Sequence, residues 1–381
     1  MVSKKNFYTG LIVIACVFCN LSQMPNLMES GIISLAYSGT WIFIAVMLLI
    51  DRRTLKWQYL LLPIVFDVIC LGGRFLGKSY FSSDLFRPIN LCAFILLIGI
   101  WAGTYLDYTN LKKISFAFIT SALAVAIYLY FNIFRGVDWG GSGYLYGSKN
   151  SAGQIFLVAI ILIATQFLQY NKVLSAFAMI FFAALIIMMK SRASILTLLI
   201  VIIYFILFIL KKKIHKVIGI VILVATLIII FTNAELYNLY IKEIILNNKD
   251  INDLTAVTSN RDLHVEYFKA NFGMYWFSGT GGTYLESMPL AVLMSYGILG
   301  GIPVLLFSLQ PLYIGFKYIR DKRYRLFCVL IIALSITMWI NGIFEEQSPF
   351  GPGVKCYFLW LVLGLFIGYR DSTNKLLYYE R

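Results

Sequence analysis

Two positive charges stand in a short turn between two long apolar segments. Lys190-Ser191-Arg192 separates a run of about 17 residues, 173–189, from one of about 18 residues, 193–210. Runs of this length and composition are typical of membrane-crossing helices. Such a tight turn has no solvated loop to accommodate the charges, and ionised groups at a membrane position usually serve a function. The sequence therefore predicts that an anionic ligand binds at this turn.

A second group of candidate residues follows a helix-start pattern. Residues 258–262 predict a helix with Ser259 as N-cap and Asp262 in the capping-box position. This helix would continue to about residue 270 and place Arg261 and His264 near one face. Arg261 would lie in its first turn, where free backbone N–H groups and the helix dipole favour an anion. An ordinary capped surface helix would show the same pattern.

A glycine-rich segment, 276–283, returns the chain toward the next apolar run. Its glycines would let the backbone approach a ligand closely, although glycines also simply make turns. Glu286 stands at the mouth of the next run, either as a catalytic base or as an ordinary interface residue. The small residues within 296–301 suit close helix packing.

Composition defines the class of protein. The 381 residues are 60% hydrophobic and 13% charged, which is outside the range of soluble domains. This composition predicts an all-α polytopic membrane protein with a single transmembrane domain, 1–381. The net charge of +14 lies between the apolar runs, so nucleic acid is not an expected partner. All six cysteines lie in or beside apolar stretches and are predicted to behave as apolar residues rather than as zinc or redox sites.

The apolar runs predict about 12 transmembrane helices and one long extracytoplasmic loop. The spans are at about 7–21, 31–50, 57–73, 88–106, 114–134, 151–168, 173–189, 193–210, 217–232, 286–310, 326–344 and 354–369. The loop, 233–285, lies between helices 9 and 10. It is too long for a hairpin turn and is expected to contain short helices.

The basic residues orient the chain. With Lys4 and Lys5 inside, 20 of the 32 Lys and Arg residues fall on the inner side, which places both termini in the cytoplasm. The other twelve fall in five of the six outer connections, where orientation does not require them: Arg74, Lys78, Arg87, Arg135, Lys149, Lys190, Arg192, Lys242, Lys249, Arg261, Lys269 and Lys355. The inner run 211–216 is expected to anchor to anionic lipid.

Few other residues suggest chemistry. Asp67 lies in the third predicted span, where we expect it to pair with an outer arginine such as Arg74; proton relay is the less favoured alternative. With two histidines and no clustered carboxylates, neither a metal site nor a cofactor is expected. No nucleotide or dinucleotide fingerprint is present.

Short motifs in a characteristic order resemble the O-antigen polymerase and ligase superfamily of bacterial envelope polysaccharide assembly, whose polymerase branch is called Wzy-type. They are Gly147-Ser148-Lys149-Asn150 opening a span, Ser191-Arg192-Ala193 between two spans, Arg261 in the single long loop, Gly279-x-Gly281 near its end, and the Tyr-Gly-Ile-x-Gly of Tyr296 to Gly300. The resemblance covers chiefly residues 140–305 and is carried by the order and topological placement of the motifs.

The resemblance implies a metal-independent, inverting glycosyltransferase on the outer face of the bacterial cytoplasmic membrane. Such polymerases transfer a growing glycan from undecaprenyl pyrophosphate to the non-reducing end of an incoming lipid-linked repeat unit. Arg192 and Arg261 would stabilise the departing pyrophosphate, and Glu286 would take the proton of the acceptor hydroxyl. Substrate would be held by Arg74, Arg87, Arg135, Lys149, Asn150, Lys190 and His264. The expected partners are the two lipid-linked oligosaccharides and membrane lipids; a chain-length regulator is left open.

Three alternatives remain. A ligase would transfer the glycan to lipid A-core, but ligases tend to carry a histidine near the end of the loop, where this chain has Glu286-Ser287. A flippase of lipid-linked oligosaccharide would also need outer cations, although transporters usually show related halves with similar loops. A dolichol-type glycosyltransferase normally carries acidic residues in its first outer loop, which here contains only Glu29.

Overall fold

The protein is a bundle of α-helices in a computed structural model. The structure describes residues 3–24, 27, 31–51, 57–131, 149–210, 212–246, 248–249, 255, 258–351 and 356–379, and this part of the chain contains no strand. The helices are α1 (Lys4–Leu21), α2 (Ile32–Ile50), α3 (Trp57–Gly73), α4 (Phe86–Ala102), α5 (Tyr108–Leu129), α6 (Lys149–Leu162), α7 (Lys172–Met188), α8 (Arg192–Phe208), α9 (Lys213–Thr232), α10 (Arg261–Tyr275), α11 (Met288–Tyr318), α12 (Arg325–Phe344) and α13 (Tyr357–Tyr379). Shorter helical turns are Arg74–Leu76, Tyr80–Ser82, Ile163–Phe167, Ala234–Leu236 and Tyr237–Ile245.

The long apolar helices support a membrane protein. Among the described residues, six helices are long and apolar enough to cross a membrane: α2, α5, α6 with its following turn, α9, α11 and α12. Four shorter apolar helices, α3, α4, α7 and α8, have 17 residues each. α9 buries none of its side chains within the protein, although its mean hydropathy is 2.7. Such a helix suits a lipid environment and not water.

The all-α prediction is therefore confirmed for the described residues, whereas some predicted boundaries are wrong. α5 begins at Tyr108 rather than at residue 114. Asp107 accepts hydrogen bonds from the backbone N–H groups of Thr109 (2.9 Å) and Asn110 (3.1 Å), and the Asn110 side chain accepts one from Asp107 N (3.3 Å). This capping box starts the helix before its apolar part begins. α11 likewise continues to Tyr318, beyond the predicted end at residue 310.

Paired glycines bring α4 and α13 into close contact. A Cβ on Gly99 would lie 2.7 Å from Leu361 O and 2.9 Å from the Cα of Gly364. One turn further, a Cβ on Gly103 would lie 2.4 Å from Leu365 O, and one on Gly368 would lie 2.9 Å from the Cα of Gly103. Small residues four apart on facing helices permit this approach of two backbones. All six cysteines are buried, as predicted.

α11 is broken at Gly297, which has φ 63° and ψ −166°. The break leaves N–H and carbonyl groups of α11 without helical hydrogen-bond partners, and the segment 276–281 supplies partners for them. The N–H groups of Thr280 and Gly281 donate to the carbonyls of residues 294 and 295 (2.8 and 2.9 Å). The carbonyls of residues 276 and 277 accept from the N–H groups of residues 298 and 299 (2.7 and 3.1 Å). A broken helix is tolerated at membrane depth where neighbouring groups complete these bonds.

The two glycines at this junction are in direct contact. A Cβ on Gly279 would lie 2.5 Å from Gly297 N, and a Cβ on Gly297 would lie 2.6 Å from Gly279 N. The prediction that residues 296–301 serve close packing between helices is therefore wrong for Gly297. Its role is to break α11 and to hold the segment that leads from α10 back to α11.

Candidate functional site

The turn between α7 and α8 meets the start of α10 at one end of the bundle. Arg192, the first residue of α8, donates through Nη2 to the hydroxyl of Ser259, and Lys249 Nζ donates to the same oxygen at 2.8 Å. Ser259 lies two residues before Arg261, so Arg192 reaches the start of the helix that carries Arg261. Two cations from distant parts of the chain, Arg192 and Lys249, therefore meet at one hydroxyl beside the start of α10, which favours an anionic ligand.

Ser259 is not the N-cap of α10, contrary to the prediction. The cap is Asn260, which has φ 67° and makes no capping hydrogen bond from its side chain. The Asp262 carboxylate instead accepts from the hydroxyls of Thr255 and Thr258, each at 2.7 Å, and these bonds lower its pKa. Because these hydrogen bonds of Asp262 stabilise the start of α10, the Ser259 hydroxyl is not needed as a cap and instead contacts Arg192 and Lys249.

Arg261 is fixed by several acceptors. Its Nη2 lies 3.0 Å from Glu286 Oε2 and 3.1 Å from the carbonyl of Phe344, and its Nη1 donates to the carbonyl of Thr258 at 3.2 Å. Its Nε is buried and has no hydrogen-bond partner among the described residues. The side chains of Arg261 and Glu286 are 26% and 31% exposed, so the pair is still reachable from solvent.

His264 positions the segment that carries Glu286. The backbone N–H of Glu286 donates to His264 Nδ1 at 2.9 Å. Because Nδ1 accepts, the imidazole in this arrangement carries its proton on Nε2. The ring of His264 packs edge-on against Tyr284, whose hydroxyl lies 3.4 Å from Glu286 Oε1. The predicted residues Arg261, His264 and Glu286 thus form one cluster.

Two carboxylates that sequence reasoning missed, Glu345 and Glu346, follow α12 and border this cluster. Glu346 is 7% exposed, and burial together with the charge of Asp84 raises its pKa to about 7, against the opposing effect of the Leu285 N–H. Burial and the charges of Glu286, Glu346 and Glu345 raise the pKa of Tyr284 to about 12. One feature of the sequence could have drawn attention to Glu345 and Glu346: the chain has only 18 acidic residues, and these two stand together directly after an apolar run.

Asn150 joins the starts of α6 and α8 to the end of α12. The Ser191 hydroxyl lies 2.7 Å from Asn150 Oδ1 and 2.9 Å from Ser194 Oγ. Asn150 Nδ2 donates to Glu345 Oε1. A Cβ on Gly153 would lie 2.3 Å from Ser194 Oγ, so the two helices approach closely here. The motifs around Asn150 and Ser191, which are far apart in sequence, are therefore neighbours.

Other predicted substrate-binding residues do not join the cluster among the described residues. The exposed Arg74 stacks its guanidinium on Phe81, 5.0 Å from the ring centroid. Arg87 is exposed in the first turn of α4. The described contacts of Arg74 and Arg87 include none with Arg192, Arg261 or Glu286, so their role in substrate binding stays a prediction. The predicted pairing of Asp67 with Arg74 is wrong, since Asp67 Oδ1 accepts from Asn90 Nδ2 at 3.0 Å.

The remaining cations predicted to bind substrate are Lys190, Lys149 and Arg135. Lys190 is half-buried in the turn before α8 with φ 49°, and within the described part of the chain its side chain has no hydrogen-bond or ion-pair partner. Lys149 begins α6, but its side chain lies outside the description, and Arg135 lies outside the described residues altogether.

No known family model matches the chain, and no curated protein matches it. The described residues also contain no group of three or more His, Cys, Asp or Glu side chains that could hold a metal ion. Arg192, Arg261, His264 and Glu286, brought together from α8, α10 and the segment before α11, form the candidate site.

Proposed function

We propose that the protein polymerises lipid-linked oligosaccharide repeat units on the outer face of the bacterial cytoplasmic membrane. The growing glycan would be transferred from undecaprenyl pyrophosphate to the non-reducing end of an incoming lipid-linked unit. The observation that carries the proposal is the hydrogen bond from Arg192 to the Ser259 hydroxyl, two residues before Arg261, together with Glu286 3.0 Å from the Arg261 guanidinium.

The chemistry requires a charged leaving group to be stabilised. The bond between the anomeric carbon of the donor and the pyrophosphate oxygen breaks, and its electron pair leaves with the pyrophosphate. The acceptor hydroxyl oxygen bonds to the same carbon from the opposite side, which inverts its configuration, and the hydroxyl proton passes to Glu286. Guanidinium groups fixed before the reaction stabilise the charge that grows on the pyrophosphate.

The ion pair between Arg261 and Glu286 would link binding of the pyrophosphate to activation of Glu286 as a proton acceptor. The Glu286 carboxylate partly neutralises Arg261. A pyrophosphate carries more negative charge than one carboxylate and would compete for the guanidinium. Its binding would release Glu286 to accept a proton.

The proposed orientation places both termini in the cytoplasm. Lys4 pairs with Asp51 at 2.5 Å and Lys5 with Asp107 at 2.6 Å, so the N-terminal cations lie beside the segments after α2 and before α5. Both of these segments belong to the side that the basic residues predict to be internal. The donor and acceptor lipids and the surrounding membrane lipids would be the partners.

The test is chain extension by purified protein in liposomes with synthetic undecaprenyl-pyrophosphate repeat units, read as a glycan ladder on a gel. Arg192→Ala and Arg261→Ala should each lower the extension rate by roughly 10²–10³-fold, the usual effect of removing one preorganised donor. Lysine at either position should restore only part of the rate, because it lacks the planar fork of arginine. Arg320→Ala, an exposed arginine after α11, is the control and should extend normally.

Elution volume and thermal unfolding of each variant would separate lost chemistry from lost folding. Long ladders from both alanine variants would contradict the assignment of the two arginines. Substrate that crosses the vesicle membrane without becoming longer would instead indicate a flippase.

A further inference from the structure

A groove lies at the far end of α11 from Glu286, between α3, α11 and α13. Its volume is about 450 Å³, and its apolar wall includes Leu62, Leu306 and Leu309. A second hollow of about 560 Å³ shares Leu309, Tyr313 and Lys317 with it, so the two form one elongated depression on the side of the bundle.

The end of the groove is cationic. Lys317 is exposed, lies 5.6 Å from the ring centroids of both Tyr313 and Tyr318, and forms no ion pair with any residue that the structure describes. Arg370 is 8% exposed and donates at 2.6 Å to both the Tyr59 hydroxyl and the Asp371 carboxylate. Two cations and one carboxylate leave a net positive charge at this end.

The groove also contains an unused hydrogen-bond acceptor. Gln310 lines the wall and donates from Nε2 to the carbonyl of Tyr59 at 3.3 Å. Its Oε1 is buried and receives no hydrogen bond from the described residues. A buried acceptor without a donor is unfavourable, and a ligand that donates a hydrogen bond at this depth would satisfy it.

The dimensions fit a lipid in one leaflet. The part of α11 after the break at Gly297, 298–318, corresponds to roughly 31 Å, about the thickness of the hydrocarbon core, so the groove and Glu286 would face opposite leaflets. From Leu306 to Lys317 the helix rises about 16 Å, close to half the thickness of the hydrocarbon core. The apolar wall would therefore lie at acyl-chain depth and Lys317 at headgroup depth.

We propose that this groove binds an anionic glycerophospholipid from the leaflet opposite the candidate site. Its phosphate contacts Lys317 and the exposed edge of Arg370, and an acyl chain lies along Leu306 and Leu309. Charge complementarity selects an anionic lipid over a zwitterionic one.

The test is native mass spectrometry of the full chain in detergent with equal amounts of phosphatidylglycerol and phosphatidylethanolamine. The protein should retain phosphatidylglycerol preferentially, and Lys317→Gln should weaken that binding about five-fold, the usual effect of one lysine at a lipid surface. Lys322→Gln removes the same charge from an exposed lysine outside the groove and should bind like the parent protein. Equal binding by all three proteins, or equal retention of both lipids, would overturn the proposal.

A second variant, Leu309→Trp, and a soluble competitor, glycerol phosphate, test whether the apolar wall of the groove binds an acyl chain. Leu309→Trp fills the groove without changing any charge, and it should also weaken phosphatidylglycerol binding; Leu309 is 41% exposed, so the larger side chain is compatible with folding. Millimolar glycerol phosphate should not displace the lipid. Displacement by that soluble anion would show a phosphate site without an acyl-chain groove and would also overturn the proposal.

Discussion

Replacing Gly297 by alanine should destabilise the protein strongly, because two separate features of this position exclude a side chain. The backbone has φ 63° and ψ −166°, a region that only glycine adopts readily. A Cβ would also lie 2.2 Å from Phe277 O and 2.4 Å from the carbonyl carbon. These are backbone atoms, so no side-chain rotation relieves the overlap.

The cost can be estimated from the structure. The strained backbone contributes about 1–3 kcal/mol. Moving residue 277 away would break the hydrogen bonds from Ile298 N to Trp276 O (2.7 Å) and from Leu299 N to Phe277 O (3.1 Å), each worth about 1 kcal/mol. The sum, roughly 3–5 kcal/mol, is at the upper end of single-substitution effects.

The assay is thermal unfolding in detergent, with Gly39→Ala in α2 as the matched control. No heavy atom lies within 4 Å of a Cβ at Gly39, so that variant should be neutral or gain up to about 1 kcal/mol. Gly279→Ala should behave like Gly297→Ala, because its Cβ would lie 2.4 Å from Ser295 O. If Gly297→Ala unfolds within error of Gly39→Ala, the proposed contact between the two segments is wrong.

Two further predictions concern the acidic edge of the candidate site. The raised pKa of Glu346, about 7 against an ordinary 4.5, means that the folded protein retains a proton which the unfolded chain releases. Stability should therefore fall as pH rises from 4.5 through 7, and Glu346→Gln should remove this decline and gain roughly 3 kcal/mol at pH 8. An unchanged pH profile of the melting temperature would contradict the burial of this carboxyl group. Asn150→Asp places a carboxylate against Glu345 in place of a donor and should cost about 2 kcal/mol. Adding Glu345→Gln should restore most of that loss in the same melting assay, and a double variant no more stable than the single one would refute the contact.

Local features of the sequence predicted most of the helices. Apolar runs of sufficient length indicate where a helix can cross a membrane, and α2 and α3 lie within one residue of their predicted bounds. Ends set by polar contacts were less accurate. The start of α5 depends on the Asp107 capping box, and the helix therefore includes residues that a hydrophobicity argument leaves out.

The sequence also predicted that Arg192, Arg261 and Glu286 could meet, because counting spans assigns all three to the same side of the membrane. Span counting cannot predict where each helix stands around the bundle. For this reason Arg74 and Arg87 are predicted at the site although no described contact joins them to Arg192, Arg261 or Glu286, while Glu345 and Glu346 were missed.

The sequence by itself thus determined the class of protein, the apolar helices and the cations available for an anionic ligand, because length, hydropathy and charge are local properties. Only the tertiary structure decided which of those charges are neighbours. That choice depends on backbone contacts between distant segments, such as Gly279 against Gly297 and the paired glycines of α4 and α13. Such contacts require two particular backbones to approach closely, which no single stretch of sequence specifies.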